Sequence, residues 1–287
     1  MTPGSPIAQI DRLIAKGVPT TGDFQQTVLS YFKKHGRDLP WRRTRSPYKI
    51  LVSEVMLQQT QVERVRERYG EFLHAFPSWR ALSEATPREV VSAWMGLGYY
   101  RRALNLHRAA RDVCCAHKGR APRSVEGLQR LPGVGPYTAA AVAAFAYGEP
   151  APMIETNIRT VFLYVYFSNR TRVSDREVMI KVRETLYEKD PRAWFYALMD
   201  LGAEIKRHVK GINKRSRHHA KQSRFEGSQR QARARILRLL TRLKSASKAD
   251  LVRKVSGGAG QAERALLSLE RDGLVQRDGR GRFVVGS

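Results

Sequence analysis

Two glutamates stand in surroundings that suit their carboxyl groups to different tasks. Glu54 lies within Leu51-Val52-Ser53-Glu54-Val55-Met56-Leu57, a largely apolar stretch with helical spacing. A carboxyl group there is partly desolvated, its pKa is expected to rise, and a neutral carboxylic acid near pH 7 is what a general acid must be. The plainer reading puts Glu54 on the solvated edge of an amphipathic helix, where most glutamates sit. Glu155 lies in Met153-Ile154-Glu155-Thr156-Asn157-Ile158, just ahead of a helix whose first amides can hold a carboxylate ionised. Its plainer reading is a helix cap and nothing more. One acid kept protonated and one kept charged can together cleave a glycosidic bond: the first protonates the departing group, the second stabilises an oxocarbenium-like sugar. Position alone leaves both readings of each glutamate open.

A third chemical feature lies between them. Residues 131–142 read Leu-Pro-Gly-Val-Gly-Pro-Tyr-Thr-Ala-Ala-Ala-Val, a glycine hairpin between two helical stretches. Gly133 and Gly135 can take positive φ, so the amides around Val134 can face one oxyanion. Pro136 suits the first position of a helix whose N-terminus faces the same anion. Gly-x-Gly turns between helices are also common without any ligand.

The charge balance says what such an anion would belong to. The chain has 52 Lys+Arg against 26 Asp+Glu, a net charge of +26, and 22 of the basic residues lie from Lys206 onward against 6 acidic ones. A polyanion is the expected partner. No apolar run approaches membrane-spanning length, and the first residues do not resemble a signal peptide, so the expectation is a cytoplasmic protein of the bacterial cytosol and nucleoid, without membrane contact. The only cysteines, Cys114 and Cys115, are adjacent, which excludes a disulfide framework and a four-cysteine metal site.

The elements that must position these groups read as helices almost throughout. Phe24, Val28 and Phe32 repeat at helical spacing, as do Val62, Val65, Tyr69 and Phe72, and further helices are expected over 87–95, 101–117, 124–130, 136–146, 157–167, 175–189 and 191–209. Residues 210–228 are polar, basic and without period, a connector. Beyond it come three short amphipathic helices, the first with Ile236, Leu239, Leu240 and Leu243 on one face, then a glycine-turned hairpin around Asp278-Gly279-Arg280-Gly281, the outline of a winged helix. Gln261, Arg264 and Arg271 on its third helix could enter a major groove; such modules also mediate protein contacts. The expected boundaries are 1–227 for the helical body, in two lobes, and 228–287 for the module.

Four co-linear motifs carry a resemblance: Arg37-Asp38-Leu39-Pro40-Trp41-Arg42; Ser53-Glu54-Val55-Met56-Leu57-Gln58-Gln59-Thr60; Gly96-Leu97-Gly98-Tyr99-Tyr100-Arg101-Arg102; and the Leu131 to Thr138 hairpin. Over roughly residues 24 to 205 the chain resembles the MutY-type adenine DNA glycosylases of the endonuclease III, helix-hairpin-helix (HhH-GPD) superfamily. The resemblance implies an all-α helix-hairpin-helix DNA glycosylase fold, here with a small C-terminal winged-helix-like (α+β) module. It also implies base flipping before the bond is cut. In the family's terms Glu54 matches the proton donor to the extruded purine, and Glu155 falls at the place of an essential aspartate. Gln58, with Gln59 beside it, and the pair Tyr99 and Tyr100, followed by Arg101, match residues that enter or line the duplex around the flipped nucleotide. Gly133, Val134 and Gly135 match the phosphate-binding hairpin.

The chain also departs from that pattern. Glu155 is one methylene longer than aspartate. Tyr137 stands where lyase-competent relatives have lysine and cannot form a Schiff base; tyrosine here is similar to glycosylases acting on mismatched thymine or uracil, and is expected in the base pocket. Register puts Lys206, Asn213, Ser216 and Gln222 where the family has iron–sulfur ligands, so no cluster is expected, and Arg207, Lys214, Arg215 and Arg217 are expected to contact DNA instead. His218 and His219, without nearby acids, make a poor metal site. The expectation is a monofunctional, monomeric, cofactor-free glycosylase acting on duplex DNA with a lesion, mismatch or abasic site. The alternatives are an abasic-site endonuclease or lyase, and a non-catalytic DNA-structure binder.

Overall fold

Arg37 and Arg42 converge on one carboxylate that has almost no access to water. In the computed structural model, the Arg37 backbone amide and Nε donate to Asp200 at 2.8 and 2.6 Å, and the two terminal nitrogens of Arg42 donate to it at 2.7 and 2.8 Å. The Asp200 side chain is 1% exposed, so these donors are what makes its charge tolerable; a buried carboxylate stripped of its partners costs several kcal/mol, of the order of 3–5. The arginine motif that opens the family resemblance is thus a structural fastener.

The structure describes residues 7–217, 224–255 and 259–286. The fastener lies in the first of two compact units, made of residues 1–47, 123–126 and 135–221. Its helices are Ala8–Ile14, Thr21–His35, Pro136–Val142, Thr156–Val165, Asp175–Glu184 and Pro191–His208. Phe24 is edge-on to Phe162, Tyr166 and Trp194, with centroids 5.4–5.7 Å apart, and this ring cluster forms the core. The helix expected over 175–189 stops at Glu184 because Gln25 Nε2 takes the carbonyls of Thr185 and Leu186 (3.1 Å each). The expected connector is also more ordered than its composition suggests: Ile212–Arg215 form a 3-10 turn with Ile212 buried. Gly202 sets how closely Pro191–His208 passes the helix that starts after Glu155: a Cβ there would lie 2.0 Å from the Asn157 carbonyl oxygen.

The second unit comprises residues 48–122, 127–134 and 222–287. Helices Pro47–Leu57, Val62–Ala75, Trp79–Glu84, Pro87–Ala93 and Arg101–Ala116 enclose Phe72, Trp94, Met56 and Leu82. Ser78 caps one of these helices and Thr86, in a capping box with Glu89, caps the next. The C-terminal segment supplies helices Gln229–Leu243, Lys248–Lys254 and Ala259–Arg271 and strands Val275–Arg277 and Phe283–Val285. The strands are antiparallel, Val275 opposite Val285, and Ala246 pairs with Phe283 on the outer edge.

The C-terminal segment shares a compact unit with the helices that follow Tyr48: Gln229–Leu243 packs on Pro87–Ala93 and Arg88 Nε donates to the Thr241 carbonyl (3.0 Å). The buried face of that helix is Ala232, Ile236, Leu237 and Leu240, while Leu243 is 38% exposed. Among the described residues, no helix is long and apolar enough to cross a membrane.

Helix propensity alone would favour Gly202→Ala by about 1 kcal/mol. The 2.0 Å overlap decides the sign the other way, since overpacking costs about 1–3 kcal/mol. A thermal melt of the variant is expected to show a Tm several degrees lower, and an unchanged or raised Tm would refute the close-approach argument.

Candidate active site

Glu54 sits on Pro47–Leu57, in an unbroken buried run from Ile50 to Met56, and is 4% exposed. The solvated-edge reading is therefore wrong: both faces of this helix are covered. Burial of this kind disfavours the charged form of a carboxyl group.

What holds the end of that helix was not foreseen from sequence. Arg102 donates to the carbonyls of Val55 (2.7 Å) and Met56 (2.9 Å), to Thr60 Oγ1 (3.0 Å), and to the carbonyls of Leu97 (3.2 Å) and Gly98 (3.0 Å). It also donates to the Gln58 carbonyl. Its guanidinium lies over the rings of Trp94 and Tyr99. Burial lowers its pKa to about 10, which leaves it charged at neutral pH. Helical phase carried the signal, because Arg102 is in line with buried Leu106, Ala109 and Val113 on Arg101–Ala116, whereas its neighbour Arg101 is exposed.

Arg102 thereby fixes the loops carrying the expected DNA-entering residues. Gln59 (φ 57°) and Tyr99 (φ 49°) both adopt the left-handed region, uncommon for residues with side chains. Gln58 is half-buried and Gln59 exposed. Tyr99 is 39% exposed, and its hydroxyl accepts from Arg230 at 3.2 Å. Tyr100 is a correction to the expected pair: it is 6% exposed, its hydroxyl donates to the Met95 sulfur (3.4 Å), and it belongs to the core. These loops border a groove of about 1070 Å³ whose far wall is Phe225, Arg230, Arg233 and Arg238. Of the module's candidate residues, Arg264 is exposed, but Gln261 Nε2 donates to the Gly227 carbonyl (2.7 Å) and is a tether.

In the hairpin, Gly133 has φ 78°, and a Cβ there would come within 2.6 Å of Asn105 Cβ. Gly135 has φ −83° and ψ 175°, so the expected positive φ is used once, not twice. Val134 is buried and its amide donates to the Leu131 carbonyl (3.1 Å). Pro136 takes the first helical position as expected. Tyr137, in the first turn, is half-buried.

Glu155, in the first unit, is the N-cap of Thr156–Val165: Oε1 accepts from the amides of Asn157 and Ile158 at 2.8 Å each, and Oε2 from Asn157 Nδ2 at 3.3 Å. The amides that the sequence places there do hold the carboxylate by hydrogen bonds, and burial acts against them. Its pKa is raised, because desolvation outweighs the two amides and the charges of Lys206 and Arg159.

Known proteins resemble this chain in sequence and in fold. Residues 52–188 match the HhH-GPD superfamily of base excision DNA repair proteins. The chain is 35% identical over 276 residues to the adenine DNA glycosylase of Mycolicibacterium smegmatis, covering 90% of this chain and 94% of that one. It belongs to the MutY-type branch of the HhH-GPD superfamily. The human adenine DNA glycosylase is 41% identical over 151 residues, half of this chain and 28% of that protein. A thermostable thymine-DNA glycosylase of known structure superposes with a TM-score of 0.58 at 29% identity, over 68% of this chain and 94% of that one. An endonuclease III complexed with DNA shares the fold, with a TM-score of 0.55 at 20% identity, over 63% and 84% of the two chains. The protein is a DNA glycosylase of base excision repair.

This MutY-type chain does not fit the iron–sulfur cluster of its superfamily. Its two cysteines are adjacent on Arg101–Ala116, and the expected ligand positions hold other side chains with other partners. Lys206 Nζ donates to Asn157 Oδ1 (3.3 Å), Asn213 Oδ1 accepts from Thr160 (2.8 Å), and Ser216 pairs with Val173 in a β-bridge. Gln222, His218 and His219 lie outside the described residues. Of the basic side chains expected on DNA, Lys214 and Arg217 are exposed, Arg215 is half-buried, and Arg207 is paired with Glu204 (2.8 Å).

Replacing Arg102 by lysine keeps the charge and removes the fork that reaches several acceptors at once. At about 1 kcal/mol net per hydrogen bond removed, Arg102→Lys is expected to destabilise by roughly 2–3 kcal/mol and to weaken duplex binding. Denaturant unfolding at wild-type stability would refute the clamp.

Proposed function

We propose that this glycosylase removes adenine from a mispaired duplex, that it is monofunctional and monomeric, and that it works in the cytoplasm without an iron–sulfur cluster. The burial of Glu54 in an apolar helix carries the reading, supported by 35% identity to an adenine DNA glycosylase across nearly the whole of both chains. Gln58, Gln59 and Tyr99 enter the space left by the flipped nucleotide, while amides at Gly133 and Gly135 hold a backbone phosphate. Glu54 donates its proton to the base as the bond to the sugar C1′ breaks, so the base departs neutral. Glu155 carries the opposing negative charge and orients the water whose oxygen bonds to C1′ and whose proton is released. Tyr137 lines the base pocket and offers no amine for strand cleavage. A second reading, removal of mismatched thymine, is favoured by Tyr137 and the likeness to a thymine-DNA glycosylase.

The deciding measurement is a panel of duplexes with adenine opposite guanine or 8-oxoguanine, and thymine or uracil opposite guanine. Adenine release that breaks the strand only after alkali, lost in Glu54→Gln, is the expected result. Release of thymine alone would establish the second reading, and release of no base would sink both.

Glu155 gives a prediction with a definite sign. Its pKa lies above the ordinary 4.5, so the folded protein prefers it protonated, and the stability that preference contributes is lost as pH rises through the folded pKa. Glu155→Gln keeps an acceptor for both amides and is expected to abolish excision while its Tm at pH 7 equals or exceeds that of wild type, the two converging below about pH 4.5. A Tm at pH 7 clearly below wild type would assign Glu155 to capping. In the wild type, excision is expected to fall with acid at a pH above the ordinary carboxylate value.

A further inference from the structure

On the side of Gln229–Leu243 away from the Tyr99 groove lies a second pocket of about 490 Å³, lined by Ser92, Arg235, Arg238, Arg242 and Lys254 among others, with no carboxylate in its lining. The groove differs in this respect, since Glu67 and Asp272 line it and Asp272 pairs with Arg233 at 2.6 Å. Among the described residues, Arg238, Arg242 and Lys254 form no ion pair, and all three are exposed. Asp250, on the helix that bears Lys254, is engaged by Arg253 and by Ser247, each at 2.7 Å. Arg238 lines both cavities and makes their basic walls continuous.

Arg235, Arg238 and Arg242 are spaced i, i+3 and i+7, so they rise on one face over about 10 Å of helix. The exposed pair Arg238 and Arg242, four apart, are like charges that oppose the helix carrying them, and an anion lying against them relieves that. A strand of DNA places a phosphate about every 3.4 Å along the duplex axis, so such a face spans about three. We propose that this second pocket and the arginine face leading to it bind the phosphodiester backbone of the substrate duplex, carrying its contact past the groove bordered by Gln58, Gln59 and Tyr99. A free phosphate-bearing molecule has the same recognition chemistry, but the continuity through Arg238 with the DNA-facing groove favours the strand. The proposal rests on the glycosylase reading only for the presence of DNA in that groove.

The test uses the full-length protein and the salt dependence of its binding to a duplex. Arg242→Gln/Lys254→Gln changes residues that line the second pocket alone. Each phosphate that the protein no longer neutralises lowers the slope of log K against log salt by about 0.9, so the double variant is expected to lower it by about 1.8 and Arg242→Gln alone by about half that. Single-turnover excision at saturating enzyme should match wild type. Lys33→Gln/Lys34→Gln, on an exposed stretch of the first unit, removes the same charge and should leave the slope near its wild-type value. An unchanged slope in the double variant, or an equal fall in this control, would overturn the proposal. So would inorganic phosphate raising the Tm of wild type but not of the double variant while the two slopes agree, since the pocket would then serve a free anion. Failure of wild type to release any base would refute the glycosylase reading and leave the slope comparison intact.

Discussion

Arg102 carries a full positive charge into the interior of the second unit with carbonyl and hydroxyl oxygens, not a carboxylate, around its terminal nitrogens. Two of those oxygens end the helix that bears Glu54, where unsatisfied carbonyls and the negative end of the helix dipole favour a cation. The others flank Gln59, at Gln58 and Thr60, and precede Tyr99, at Leu97 and Gly98. One guanidinium therefore does two things: it completes a helix whose buried glutamate needs a fixed position, and it ties two loops whose exposed side chains need defined directions. The left-handed backbone at Gln59 and Tyr99 is the strain that such over-determination can sustain. A lysine has the charge but not the planar fork, so the requirement is geometric before it is electrostatic.

The two glutamates reach their chemical states by different balances. Glu54 is set in an apolar helix covered on both faces and is itself buried. Glu155 accepts from two amides and has Lys206 and Arg159 nearby, yet its pKa is still raised because water is excluded. One acid and one fully stabilised anion is too simple a picture for this pair: sequence displays the helix-terminal amides that favour the charge, and only the fold displays the desolvation that opposes it.

Much of the fold was legible because helices announce themselves by phase. The winged-helix outline and the proline at the start of Pro136–Val142 follow from local pattern, whereas the burial of Glu54 needed the fold to decide between two readings. Less legible was anything set by contacts between distant segments. Tyr100 looks like its neighbour Tyr99 until the start of Arg101–Ala116 turns one ring inward and leaves the other out. Arg101 and Arg102 are likewise a matched pair in sequence and opposites in space. The boundary at 227 follows a change of composition, but composition does not record that Ala232, Ile236, Leu237 and Leu240 find their cover partly on Pro87–Ala93.

The segment after Pro191–His208 shows how one chain can hold, with hydrogen bonds, a loop that its superfamily ties with metal. A four-thiolate cluster would cross-link positions near 206, 213, 216 and 222, closing the loop covalently. Here Thr160 holds Asn213, Val173 pairs with Ser216, and Ile212 is buried beside the first of these ties in sequence. Each is weaker than a metal–thiolate bond, and the loop closed from Thr160 to Asn213 is long, 53 residues apart in sequence, but closure entropy grows only slowly with length, so that length adds little to the cost of closing it. Lys206 adds a function that a thiolate there could not supply. It donates to Asn157, which itself donates to Glu155, and its charge opposes the desolvation that raises the Glu155 pKa. A negatively charged cysteinate at the same position would push that pKa further up, so the lysine and the longer Glu155 belong to one electrostatic solution.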